Sequence, residues 1–130
     1  MDTEAGRRDV LLACMWLKMQ KKDFDEATER AHALASQLGY GWEPRVWENG
    51  GWHFEAAKRG ATVSVVDDSQ YEASIRFYMD ECIELCVSET RESPVQAVEA
   101  VIEGLNARIK VLQRALNAVA PEPLQLAKLA

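Results

Sequence analysis

The sequence predicts an α+β domain: two N-terminal helices, an antiparallel meander sheet of four to five strands, and a long C-terminal helix packed on that sheet. Three observations carry this. Residues 23–38 space their apolar side chains as a helix does and stop at Gly39. From Trp42 to Val87 the apolar period falls to two, in runs separated by short polar turns. From Pro94 the spacing returns to three and four and persists to Val119.

The first helix is expected to run to about Lys21, with Asp2 or Thr3 as its cap. Its segment Val10, Leu11, Leu12, Cys14, Met15, Trp16, Leu17, Met19 is apolar on nearly every side. Such a helix must be buried all round, inside the domain or against a partner. Asp23 and Glu26 form a capping-box pattern that would open a second helix. That helix places Phe24, Ala27, Ala31, Leu34, Ala35 and Leu38 on one stripe, with His32 beside it at the surface.

Trp42–Glu48 and Trp52–Ala57 flank Asn49-Gly50-Gly51, a hairpin signal because Asn and Gly accept positive φ at little cost. A two-residue loop would mix core and solvent on both faces. A three-residue loop pairs Val46 with Phe54, Arg45 with Glu55 and Trp47 with His53, giving one apolar face and a cross-strand ion pair. Lys58-Arg59-Gly60 then turns into Ala61–Val66. Tyr71, Ala73, Ile75, Phe77 and Met79 alternate with polar residues as the clearest strand, and Asp80-Glu81 turns into Cys82–Val87. Short turns between consecutive strands imply an antiparallel meander half covered by helices.

In the last element Ser93 caps, Pro94 takes the first helical position and Gln96 completes a capping box. Val95, Val98, Ile102, Leu105, Ile109, Leu112, Leu116 and Val119 follow at spacings 3-4-3-4-3-4-3. A helix of that length outruns six- to nine-residue strands, leaving Ile109, Leu112, Leu116 and Val119 as an apolar overhang. With β-branched Ile102 and Ile109 alternating with Leu105 and Leu112, this seam is expected to form a homodimer. Cover by the first helix within one chain is the alternative.

At 130 residues, one domain is expected over 1–130, with a helical region over 1–39, a sheet over 42–87, a helix over 93–119 and a tail over 120–130. The 15 basic and 21 acidic residues give a net charge of −6, against a generic nucleic-acid binder. Residues 67–103 hold ten acids against Arg76 and Arg91, net −8. Within them Asp67, Asp68, Glu72, Asp80, Glu81 and Glu84 form a candidate acidic surface for a basic protein partner. Trp47, Trp52 and His53 form a second candidate surface, an aromatic hairpin with the composition of binding hot spots.

No metal, cofactor or catalytic site is expected. The two histidines lie in different elements, the three cysteines make no C-x-x-C pair, and Gly39-Tyr40-Gly41 is not a phosphate loop. A thiol mechanism using Cys82 or Cys86 with His53 is the one enzymatic alternative. The odd cysteine count and the acidic start fit a cytoplasmic protein without a signal peptide or membrane span.

At residues 42–56, WEPRVWENGGWHFEA, and again at 93–101, SPVQAVEAV, the chain resembles small accessory proteins of bacteriophages and prophages. The resemblance covers residues 42–105 and assigns no functional residue. It implies a phage accessory protein of the anti-CRISPR or anti-defence kind, acting in the host cytoplasm. Together with the charge, it leads to the expectation of a non-enzymatic inhibitor of a host CRISPR or other nucleic-acid-handling complex. A dimeric structural or chaperone-like adaptor is the alternative.

Overall fold

A computed structural model describes residues 4–67, 69–78, 81 and 84–120, the side chains of Glu4 and Ala5 excepted. Along the chain lie α1 (Glu4–Leu38), β1 (Glu43–Glu48), β2 (Trp52–Lys58), β3 (Ala61–Asp67), β4 (Gln70–Tyr78), β5 (Glu84–Arg91) and α2 (Pro94–Val119). The strands form one antiparallel sheet in the order β1-β2-β3-β4-β5, so the α+β meander stands at five strands. The hairpin register is the expected one, with Val46 opposite Phe54, Arg45 opposite Glu55 and Trp47 opposite His53. The Ser93 hydroxyl accepts from the Gln96 N–H at 3.1 Å, the cap read from the sequence. The expected tail lies outside the described residues beyond Ala120, as do the Asp2 and Thr3 caps.

The N-terminal region is corrected. It is one 35-residue helix, not two. No Gly or Pro stands between Arg7 and Leu38, so nothing stops the helix at Lys21. A capping signal at Asp23 and Glu26 without a breaker before it is overridden, because propagating a helix costs far less than nucleating a second. The helix ends where Gly39 takes φ +98.

Both helices cover the same face of the sheet. Leu34 and Ala35 from α1 and Ala97 and Val101 from α2 meet Ala56, Val63, Ala73 and Val87 in one cluster. The core is built of small side chains. Among the described residues seven of the eleven buried apolar side chains are alanines, and the largest fully buried ones are Val63 and Val87. Small residues let helix and sheet approach closely but remove little apolar area from water.

Length then decides what lies outside. Leu38 precedes the start of β1, while at the other end of the hairpin the Trp52 indole N–H donates to Gln20 Oε1 at 3.2 Å. Between Gln20 and Leu38 the helix runs about 27 Å, roughly the length of the strands beneath it. The helix N-terminal to Gln20, about 24 Å of it, projects past the end of the sheet that carries the β1–β2 turn. Helix α2 starts at that same end, after β5, and runs the same way. Leu85, near the start of β5, shares a hollow with Ala107, Arg108, Val111 and Leu112 of α2. The remainder of α2 overhangs the opposite end. The two overhangs therefore point away from each other, and α1 does not cover the end of α2.

Candidate functional site

Among the described residues the α1 overhang gathers seven large exposed apolar side chains. Val10, Leu11, Leu12, Met15, Trp16, Leu17 and Met19 are each 57–64% exposed. The expected burial inside the domain is thus overturned: the sheet ends before it reaches these residues. Two stripes make up this ring. Val10 and Leu17 continue, at seven-residue steps, the line of Phe24, Ala31 and Leu38 that faces the sheet. Leu12, Met15, Trp16 and Met19 form a separate stripe to one side of it.

The α2 overhang is the second apolar surface. Ile109, Val111, Leu112, Leu116 and Val119 are all exposed, Val119 by 81%. An apolar hollow of about 440 Å³ lies between Leu85 and the Ala107–Leu112 turn of α2. The exposure agrees with the overhang read from the sequence.

The face of the sheet away from the helices carries the polar candidates. On β1 and β2 it presents Arg45, Trp47, His53 and Glu55; on β4 and β5, Glu72, Ser74, Arg76, Tyr78, Glu84 and Cys86. Trp47 and His53 stack with ring centroids 5.6 Å apart. Trp52 leaves that group: it lies on the helix side of the sheet, edge-on to Phe24 at 5.0 Å. The aromatic hairpin is therefore two separate features on opposite faces. Partial burial raises the Glu55 pKa above the ordinary carboxylate value, and Arg45 across the strand pair only partly opposes this.

Nor does the fold gather the acidic residues. Asp67 and Glu72 lie at the end carrying the β1–β2 turn, and Glu81 and Glu84 near the other. Six residues of β4 separate Glu72 from Tyr78, the partner of Glu84, or about 20 Å. Glu84 is moreover held by Arg76 at 2.7 Å. Asp68 and Asp80 lie outside the described residues.

Between β2 and β3 the sheet splits. Only Ala56, Ala57 and Lys58 of β2 find partners on β3, and nearer Trp52 the two strands diverge. The gap opens a groove of about 800 Å³ lined by Arg30, Leu34 and Gln37 of α1, Phe54 of β2, and Asp67 and Tyr71 across it. The Arg30 guanidinium stands 6.0 Å from the centre of the Phe54 ring. A shallower hollow of about 220 Å³ next to it is lined by Asp23, Glu26, Arg30, Trp52 and Phe54. Sequence reasoning missed both, because a split between strands is decided by twist and helix packing and leaves no local signature.

For thiol chemistry the placement is unfavourable. Cys86 is exposed and free on β5, three strands from His53 on β2 and about six residues further along the sheet, roughly 25 Å in all. Cys82 lies outside the described residues. Among the described residues no group of three or more His, Cys, Asp or Glu side chains is close enough to hold a metal ion. No helix among them is long and apolar enough to cross a membrane. Comparison with protein-family models, curated proteins and solved structures yields no match to this chain.

Proposed function

We propose that this chain is a non-enzymatic binding protein, an adaptor that works through protein–protein contact at its two helix ends. One observation carries this reading: the large apolar side chains are outside and the small ones inside. The seven exposed residues of the α1 overhang each forgo about 1–2 kcal/mol of burial. Their sum is comparable to the ~5–15 kcal/mol total stability of an ordinary domain. An alanine-rich core leaves little to offset it, so a partner that covers the overhangs stabilises the whole fold.

A dye that fluoresces on apolar surface (ANS), read alongside light scattering, tests the reading. The adaptor is expected either to be assembled and dye-silent, or monomeric and dye-binding, with the dye signal lost in Leu12→Glu/Met19→Glu and Leu112→Glu/Leu116→Glu. A monomer of 14.6 kDa that binds no dye overturns it.

The phage-type inhibitor of a nucleic-acid-handling complex is the second reading. It is favoured by Asp67 and Glu72, which make no ion pair among the described residues, Asp67 lining the groove where the sheet splits. Carboxylates placed there compete for lysine and arginine grooves built for phosphate. Binding to an arginine-rich peptide that falls steeply as salt is raised from about 50 to about 500 mM, and is lost in Asp67→Lys/Glu72→Lys, is the expected result. Salt-independent binding, or none, removes this reading.

A further inference from the structure

We infer that the occupant of the α1 overhang is a second copy of this chain, laid antiparallel along it; the inference rests on the binding-protein reading above. The stripe that carries it is Arg8, Asp9, Leu12, Met15, Trp16, Met19, Lys22 and Asp23. Its spacing is symmetric about the midpoint between Met15 and Trp16. A two-fold axis through that midpoint sets Leu12 against Met19 of the second copy and Met15 against Trp16. The same operation sets Arg8 against Asp23 and Asp9 against Lys22. All four charged contacts of the symmetric pair are then between opposite charges. A parallel, in-register pair would place Arg8 on Arg8, Asp9 on Asp9 and Lys22 on Lys22, which opposes itself.

Two further observations agree. The first is area. A large apolar side chain carries on the order of 100 Å² of accessible surface. At 57–62% exposure the four apolar residues of this stripe offer on the order of 250 Å². One side of a standard interface buries about 800 Å², a little over half of it apolar, so the stripe supplies about half of the apolar area a stable dimer needs, with the flanking charged pairs and Leu11 beside Met15 adding to it. The second is the hollow beside Asp23. It is lined by Asp23 and Glu26 together with Arg30, Trp52 and Phe54. In the antiparallel register the first turns of the second copy's α1 run along this stretch of the helix, bringing its Arg8 toward the Asp23 and Glu26 carboxylates. Lys22 is held locally only by Glu26 at 4.0 Å, with both side chains more than half exposed, so it is free to turn toward the second copy's Asp9.

Light scattering and sedimentation of the full chain at about 1–100 μM test this. The wild type is expected at twice 14.6 kDa. Leu12→Glu/Met19→Glu is expected at 14.6 kDa with its helix and sheet content unchanged by circular dichroism, since both positions lie beyond the sheet. Arg8→Asp is expected to weaken the dimer about tenfold, because symmetry repeats the new repulsion, and Arg8→Asp/Asp23→Arg to restore it to within about threefold. The charge-swap pair also decides the matter should the double glutamate variant fail to fold. A dimer indifferent to Arg8→Asp, or one lost through Leu112→Glu/Leu116→Glu and not through Leu12→Glu/Met19→Glu, overturns the inference. A monomeric wild type that binds the dye overturns this occupant and leaves the binding reading standing; one that binds no dye overturns both.

Discussion

The indole of Trp52 donates to the side-chain oxygen of Gln20 at 3.2 Å, and with that bond α1 leaves the sheet. On one side of Gln20 the helix buries Ala27, Ala31, Leu34 and Ala35; on the other, its apolar residues face water. Trp52 also meets Phe24 edge-on at 5.0 Å, so one side chain fixes the last turn of α1 that the sheet supports.

Trp52→Ala is therefore expected to cost about 2–4 kcal/mol, the lower end of the range for a large core truncation because Trp52 is half-buried. Gln20→Ala should cost only about 0.5–1.5 kcal/mol, the net worth of one hydrogen bond. Urea unfolding followed by circular dichroism checks the pair. Equal effects would mean that the hydrogen bond, not the ring packing, holds the helix there.

The small core makes a contrasting prediction. Val63→Ala removes two methyl groups from a site with no exposure and is expected to cost about 1.5–3 kcal/mol. Leu112→Glu with Leu116→Glu changes two larger residues that already face solvent. Measured at concentrations where the chain is monomeric, that double change should move stability by less than about 1 kcal/mol. Thermal melts of both variants, run side by side, read the ranking directly.

Gly60 sits in the β2–β3 turn, where its carbonyl accepts from the Arg76 N–H at 3.0 Å. A Cβ built on Gly60 would lie 2.8 Å from the Arg76 carbonyl oxygen, which is backbone and cannot swing aside. Gly60→Ala is expected to cost about 1–3 kcal/mol through this clash. Adjacent Arg59, already at φ +53, should by contrast be stabilised by Arg59→Gly or Arg59→Asn, by a few tenths of a kcal/mol. Opposite ranking in denaturant midpoints would refute the packing argument.

Glu55 gives a pH dependence with a definite sign. Burial raises its pKa in the folded chain, so the folded state holds the proton more tightly than the unfolded one. Its contribution favours folding below the ordinary carboxylate value and is lost as pH rises through the raised one. Glu55→Gln is expected to flatten that region of the stability curve and to leave neutral-pH stability equal or slightly higher. Denaturation midpoints taken from about pH 4 to about pH 7 check it; a variant less stable at neutral pH by more than about 1 kcal/mol would show that the attraction of Arg45 outweighs burial.

The hairpin register, the strand alternation and the start of α2 were all legible in the residues. In each case the deciding interaction is local: a three-residue Asn-Gly-Gly loop sets which residues face each other, and Ser93 with Pro94 sets the first turn of the helix. Legible too was the apolar character of residues 10–19 on nearly every side. That the sheet leaves them exposed emerged only in three dimensions. The Asp23 and Glu26 signal, strong alone, yields to a helix that nothing interrupts. The sheet supports α1 only as far as Gln20, the two helices run the same way, and their apolar ends separate to opposite ends of the molecule. The acids that are clustered along the chain are likewise divided along β4 by about 20 Å. These outcomes depend on the length of each helix against the sheet and on the direction in which it is laid, and such quantities are fixed by packing between residues far apart in the chain rather than by the residues themselves.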